Sequence, residues 1–348
     1  MGIRLLATFS TAVMAILFSV PAVGQVAGEK KAGTSKAWKA PLASDGHPDL
    51  QGTWVNNMAT PLERPAQLKD KVTLTDAEVA DLKERADRIF KNGKSDFGAG
   101  DAVFMAALAN VERYANKEAT DSSSGMGIWE FDNRTSMITD PADGRLPAYT
   151  PEGRKRQTAF GRAALVNFNP AFTEELTPLQ RCITWGVPMI RTSSYTRYFQ
   201  IAQTPGWAVV VMESIHDARI IPLDGRPHLA QNVRTWNGDS VGHWEDDTLV
   251  VDTTNFSSKT NFMGAGENLH LVERFSRAAA DEIRYEVTVE DPSTWVKPWT
   301  ALLRLKHTDE KMFEVACHEG NGDTIEVILS AARKREQAAK EAAAKSSK

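Results

Sequence analysis

Trp207-Ala208-Val209-Val210-Val211-Met212-Glu213-Ser214-Ile215-His216-Asp217-Ala218-Arg219-Ile220-Ile221-Pro222 is the stretch on which the reading of this chain turns. Its first six residues are apolar and rich in valine, which suits a strand, and Ile220-Ile221-Pro222 closes a second one. Between them an acid, an imidazole, a second acid and a guanidinium sit inside what otherwise reads as sheet core, where polar groups are costly unless paired or used. The stretch therefore predicts a strand-rich fold and marks a place for chemistry or ligand recognition.

Outward from it, from Arg181 on, the pattern is strand, turn, strand. Strands are expected at 186–191, 196–203, 207–215, 217–222, 240–245, 248–254, 269–277, 282–290, 299–306 and 311–317. Turn residues separate them at Thr204-Pro205-Gly206, Asp224-Gly225-Arg226-Pro227, Glu245-Asp246-Asp247, Ala280-Asp281-Glu282 and Thr308-Asp309-Glu310. Consecutive short hairpins predict a mainly β fold, an antiparallel meander over 181–322 whose closure into a barrel would remove its edges, with a sandwich as the alternative. A C-terminal helix and tail are expected over 323–348, starting amphipathic at Ile325, Ile328 and Leu329.

Residues 25–180 read as an extended region packing on the barrel. Residues 25–40 form a polar lead-in, and Leu50 to Val55 a first short strand. Thr75 and Glu78 have the spacing of a capping box, so a helix is expected over about 76–91. A short helix is expected near 101–110 and another helical stretch between Tyr149 and Arg162. At the N-terminus, Arg4 precedes an apolar run from Leu5 to Val20 that ends at Pro21-Ala22-Val23-Gly24. That arrangement predicts a signal peptide, residues 1–24, cleaved after Gly24. An uncleaved anchor is disfavoured because Thr8, Ser10, Thr11 and Ser19 interrupt a short run. The expectation is a periplasmic or secreted protein with no later membrane segment.

Composition is that of an ordinary globular protein, 42% hydrophobic and 25% charged. A net charge of −4 without a basic stripe argues against nucleic acid as a partner. Nine tryptophans fit either core packing or the indole-lined sites of exported binders. The two cysteines, Cys182 and Cys317, favour one disulfide in an oxidising compartment. It would close a 135-residue loop, worth roughly 4 to 5 kcal/mol in the chain-entropy model. The competing reading is a reactive thiol beside His318. On a strand through Phe313 and Val315, however, Cys317 points inward and His318 away.

Alternation also sorts the candidate site residues. On the strand from Leu269, the residues Leu269, Leu271, Glu273 and Phe275 share one face, so Glu273 interrupts an apolar row. It reads as a general acid or base, or as a salt bridge to an arginine of a neighbouring strand. His216 is a second acid–base candidate, needing an acceptor from another strand, while Asp217 points to the opposite side. Arg219 suits an oxyanion or carboxylate, or a pair with Asp217 or Glu213. Trp295, in the loop between Asp291-Pro292 and Pro298-Trp299, and Trp299, Tyr285 and His270 are candidate binding residues. His318 and Glu319 form a second candidate pair. No nucleophile elbow, Walker loop, dinucleotide fingerprint or metal-ligand spacing is present, so neither a cofactor nor a dedicated metal site is expected.

Gly52-Thr53-Trp54 on a first strand, a meander and a terminal helix resemble the lipocalin-like (calycin) barrels, which bind or transform apolar small molecules. Several segments also resemble a family of uncharacterised exported bacterial proteins: Pro61 to Pro65, His216 to Pro227, Asn268-Leu269-His270 with Val272 to Phe275, Asp291-Pro292, Pro298-Trp299 and Ala316 to Asn321. Three functions are expected. The first is an exported, cofactor-independent lyase, isomerase or hydratase acting on a largely apolar small molecule in a barrel pocket. The second is a non-catalytic binding protein with the same pocket, and the third a carbohydrate hydrolase using paired carboxylates such as Glu273 and Glu290.

Overall fold

Alternating burial along paired strands builds most of this protein, and its register follows the apolar rows of the sequence. The computed structural model describes residues 38–90, 100–111, 129–163, 170, 172–190, 197–260 and 262–346. The expected signal peptide and nearly all of the lead-in lie outside these residues. The described strands are β1 (Gly52–Val55), β2 (Ile138–Asp140), β3 (Tyr198–Thr204), β4 (Trp207–Met212), β5 (Ala218–Pro222), β6 (Asp239–Glu245), β7 (Thr248–Thr254), β8 (His270–Ala279), β9 (Glu282–Glu290) and β10 (Trp299–Thr308). The helices are α1 (Asp76–Ile89), α2 (Gly100–Ala109), α3 (Pro151–Ala163) and α4 (Asn321–Ser346). None of the described helices is long and apolar enough to cross a membrane.

The strands form one antiparallel sheet in the order β5-β4-β3-β1-β10-β9-β8-β7-β6, with β2 added to β10. The expected closed barrel is therefore corrected: the sheet is open, with β5 and β6 as its ends. A continuous meander would have paired β5 with β6. Instead β1 enters between β3 and β10 and joins two meanders, through Trp54↔Phe199 on one side and Trp54↔His307 on the other. The end strands lie side by side without a backbone ladder. Gly242 allows this approach, since a Cβ there would stand 2.7 Å from Leu223 Cδ2 and 3.0 Å from Ile221 Cγ2.

The inner face carries the main core, including Trp54, Phe275, Tyr285, Trp295 and Trp299, all buried. Leu269, Leu271, Glu273 and Phe275 share the inward row that alternation predicts. A second cluster lies where α1 meets α2, with Leu82, Ala86, Ile89 and Phe90 against Val103, Phe104 and Ala107. The capping box forms as expected: Thr75 N donates to Glu78 Oε2 at 2.9 Å and Glu78 N to Thr75 Oγ1 at 3.3 Å.

Two expected strands are absent. Described residues 186–190 are irregular, and 309–316 run as coil into a turn at Cys317. The amide of Phe313 donates to the Glu213 side chain rather than to a ladder, and its ring is 72% exposed. Cys182 and Cys317 still form the disulfide, with Cα atoms 5.6 Å apart. It ties the 182–186 segment to the entry of α4 without the strand geometry expected for it. Trp299→Ala should destabilise the protein by about 3 to 5 kcal/mol through cavity formation, whereas Phe313→Ala should change stability by no more than about 0.5 kcal/mol. Urea unfolding of both variants checks this, and a large loss at Phe313 would restore an inward-facing strand.

A candidate site at the seam of the open sheet

Strand β4 stops at Met212 because the chain turns, with Ile215 at φ 60° and His216 at φ 44°. The turn closes when Met212 N donates to Asp217 O at 2.8 Å. When the chain re-enters the sheet, Arg219 lies opposite Val210. Arg219 and Ile221 therefore face the core, and Ala218 and Ile220 face out. The turn thus drives one guanidinium inward at the free end of the sheet.

There Arg219 reaches across the seam. Its Nη1 donates to Glu273 Oε1 at 3.0 Å and its Nη2 to Glu273 Oε2 at 2.6 Å, a bidentate pair between β5 and β8. Nη2 also approaches Ser240 Oγ on β6 at 3.1 Å and Thr253 Oγ1 on β7 at 3.2 Å. Tyr285 on β9 donates its hydroxyl to Glu273 Oε1 at 2.8 Å and accepts from Met189 N at 3.3 Å. Both charged side chains are almost fully buried, at 3% and 0% exposure. Burial, with the Glu273 carboxylate beside it, pushes the Tyr285 hydroxyl well above its ordinary pKa and keeps it a donor. For Arg219, burial opposes the charge, but the carboxylate of Glu273 outweighs it and raises the pKa.

Above this network an open cleft of about 320 Å³ lies at the seam, lined by Thr184, Asp217, Ile220, Trp236, Asn237 and Ser240 among others. Asp217 Oδ2 accepts from the Thr184 hydroxyl and from Asn237 Nδ2, the latter at 2.7 Å. The opposite wall, residues 235–240, is fastened from behind. Asp239 Oδ2 accepts from Leu229 N at 2.8 Å and meets His228 Nδ1 at 3.0 Å, while His228 Nε2 lies 2.8 Å from Asp252 Oδ1. Asp252 Oδ2 lies 2.8 Å from His270 Nε2, and His270 Nδ1 lies 3.6 Å from Glu290 Oε2. A chain of alternating carboxylates and imidazoles thus runs over the outer side of β6 to β9.

Of the residues singled out in the sequence, Arg219, Glu273 and Tyr285 come together, and Asp217 stands above them at the cleft. His216 is exposed on the turn and shares no hydrogen bond with Glu273, whose two oxygens are occupied by Arg219 and Tyr285. Trp295 and Trp299 are core residues, 1% and 0% exposed, and wall no cleft among those described. His270 belongs to the outer chain, and His318 and Glu319 are exposed in the turn before α4. Among the described residues no group of three or more His, Cys, Asp or Glu side chains is arranged to hold a metal ion.

Sequence reasoning missed Thr184, Ser240, Thr253, His228 and the Trp236-Asn237 wall. A signal existed for Thr253, which interrupts the Leu249, Val251 row much as Glu273 interrupts its own. Comparison with protein-family models, curated proteins and solved structures finds no match.

The outer chain makes stability depend on pH. The hydrogen bond that His270 donates to Asp252 raises the His270 pKa against its burial. For Asp252, burial acts to raise the pKa, but the His270 and His228 imidazoles more than offset it and the net shift is downward. The raised His270 pKa contributes stability that is fully present below its unfolded value and lost as pH rises through the folded value. The lowered Asp252 pKa contributes stability present above its unfolded value and lost as pH falls through the folded one. His270→Gln should therefore lower the thermal midpoint most near pH 5 to 6, roughly, with the difference shrinking above about pH 8. A deficit independent of pH would contradict this coupling.

Proposed function

We propose that this chain is an exported small-molecule-binding protein whose ligand sits in the cleft between β5 and the 235–240 wall. The observation that carries the reading is the cleft itself, an open, mixed polar and apolar concavity over a floor cross-linked by the hydrogen bonds of Arg219, Glu273 and Tyr285. Sites of this kind combine a few fixed polar groups with apolar walls. The segments that resemble exported bacterial proteins support the same place: Asp217 and Arg219 line the cleft, and Glu273 holds its floor. The apolar leader supports export.

Recognition is favoured over proton transfer by the state of Glu273. Both oxygens of Glu273 are occupied by Arg219 and Tyr285, and the side chain is closed to solvent, so it does not face a ligand in the cleft. Large side chains, Phe275, Tyr285, Trp295 and Trp299 among them, pack on the inner face. The proposed ligand is accordingly taken at the seam and not inside the sheet.

The test is a ligand screen by thermal shift, followed by amide chemical-shift mapping of each hit. A ligand at about 100 times its Kd stabilises the folded state by about 2.7 kcal/mol. Perturbed amides should cluster at 184, 217–220 and 235–240, and Ala218→Trp, which places an indole in the cleft, should abolish the effect. Hits that map elsewhere, or that bind Ala218→Trp unchanged, would overturn the reading.

A further inference from the structure

The charges around the cleft do not balance. Arg219 is the cationic side chain among the lining residues, and Glu273 neutralises it through the bidentate pair. Asp239 has His228 within 3.0 Å as a partner once that imidazole is protonated. Asp217 has no ion-pair partner among the described residues, and it is only half-buried on the cleft wall. Among the described residues, the Asp217 carboxylate therefore faces the cleft without a counter-ion of its own.

The hydrogen bonds are unbalanced in the same sense. Both donors to Asp217, Thr184 and Asn237, reach Oδ2, and no described donor reaches Oδ1. The Thr184 hydroxyl lies 2.9 Å from Asn237 Oδ1 as well as beside Asp217 Oδ2, but it carries a single proton. It can therefore serve only one of these two contacts at a time. Turning the Asn237 amide over would place its oxygen against the carboxylate, so its orientation is fixed by Asp217. Arg219 Nε, a donor without a partner, is sealed beneath the surface. Asp217 Oδ1 is a cleft acceptor without a described donor.

We infer that the cleft takes a small organic cation bearing N–H donors, a primary alkylammonium or an alkylguanidinium, with Asp217 as its counter-ion. This rests on the binding reading above and narrows it to a ligand class. Such head groups are donor-only and match an acceptor-rich wall. Trp236 supplies an aromatic neighbour for the cation, and Ile220, 63% exposed, supplies apolar surface for the alkyl stem. A carboxylate or phosphate ligand would face Asp217 and Asp239 with no free cation among the described lining residues to meet it.

The experiment titrates the full-length, disulfide-bonded protein calorimetrically with butylammonium and butylguanidinium. Butyramide and butyrate serve as neutral and anionic controls, and tetramethylammonium as a cation without donors. At least one of the two N–H cations should bind at the cleft by chemical-shift mapping, while butyrate and tetramethylammonium should not. Asp217→Asn should weaken binding by about tenfold or more, with its far-UV circular dichroism unchanged. A second measurement keeps the test independent of that variant: on wild-type protein, affinity should fall as salt rises from about 20 to about 500 mM. Butyramide or butyrate binding at the cleft as tightly as the cations would overturn the inference and leave the binding reading standing. Failure of both cations while another compound from the screen occupies the cleft would do the same. If no compound occupies the cleft, both fall.

Discussion

Arg219 and Glu273 form a buried, bidentate ion pair that links β5, one end of an open sheet, to β8 near the other end. The backbone does not join β5 to β6, so cohesion there falls to side chains. Ile221 and Leu223 pack against Gly242, and the guanidinium passes Ser240 and Thr253 to reach its carboxylate. Burying two charges is expensive, and replacing such a pair with apolar residues is often neutral or better for stability. Removing one partner alone typically costs about 3 to 5 kcal/mol, because the other charge is left stranded. The pair is therefore better understood as fixing where the end strands sit than as a source of net stability.

The cleft depends on that positioning. Its floor contains Arg219, one wall begins at Asp217 two residues before it, and the other is the strand entry at Asp239 and Ser240. The disulfide holds the segment leading to Thr184, and the His228, Asp252 and His270 chain holds the 235–240 wall from outside. Each wall has its own anchor, so the polar groups of the cleft are presented on a preformed frame. With the Arg219 charge paired to Glu273, the described side chains leave Asp217 without a counter-ion on the cleft side.

Much of this was legible in the chain. Period-two alternation placed Glu273 in the core row of β8, and the mixed polar stretch from Glu213 to Arg219 pointed to the seam. The salt bridge to an arginine from another strand was among the readings of Glu273, but the particular arginine depended on the turn at Ile215 and His216. Positive φ at two consecutive non-glycine residues has no clear local signature, and it decides that Arg219 faces inward. Sheet order was hidden for a similar reason. Nothing local tells Gly52 to Val55 to insert between β3 and β10, or β5 and β6 to lie side by side without the ladder that a meander predicts. Residues 311–317 look like a strand by composition, yet Glu213 takes the amide of Phe313 and leaves that ring in solvent. His228 follows a turn motif, and only the folded outer face brings it to Asp239 and Asp252.

Hydrogen exchange on Arg219→Met tests most directly whether the buried pair is what holds the end strands together. The account predicts that amides of β4, β5 and β6 lose protection first and most, while those of β9 and β10, paired on both sides, keep theirs. Uniform loss across the sheet, or unchanged protection in β5 and β6, would contradict it.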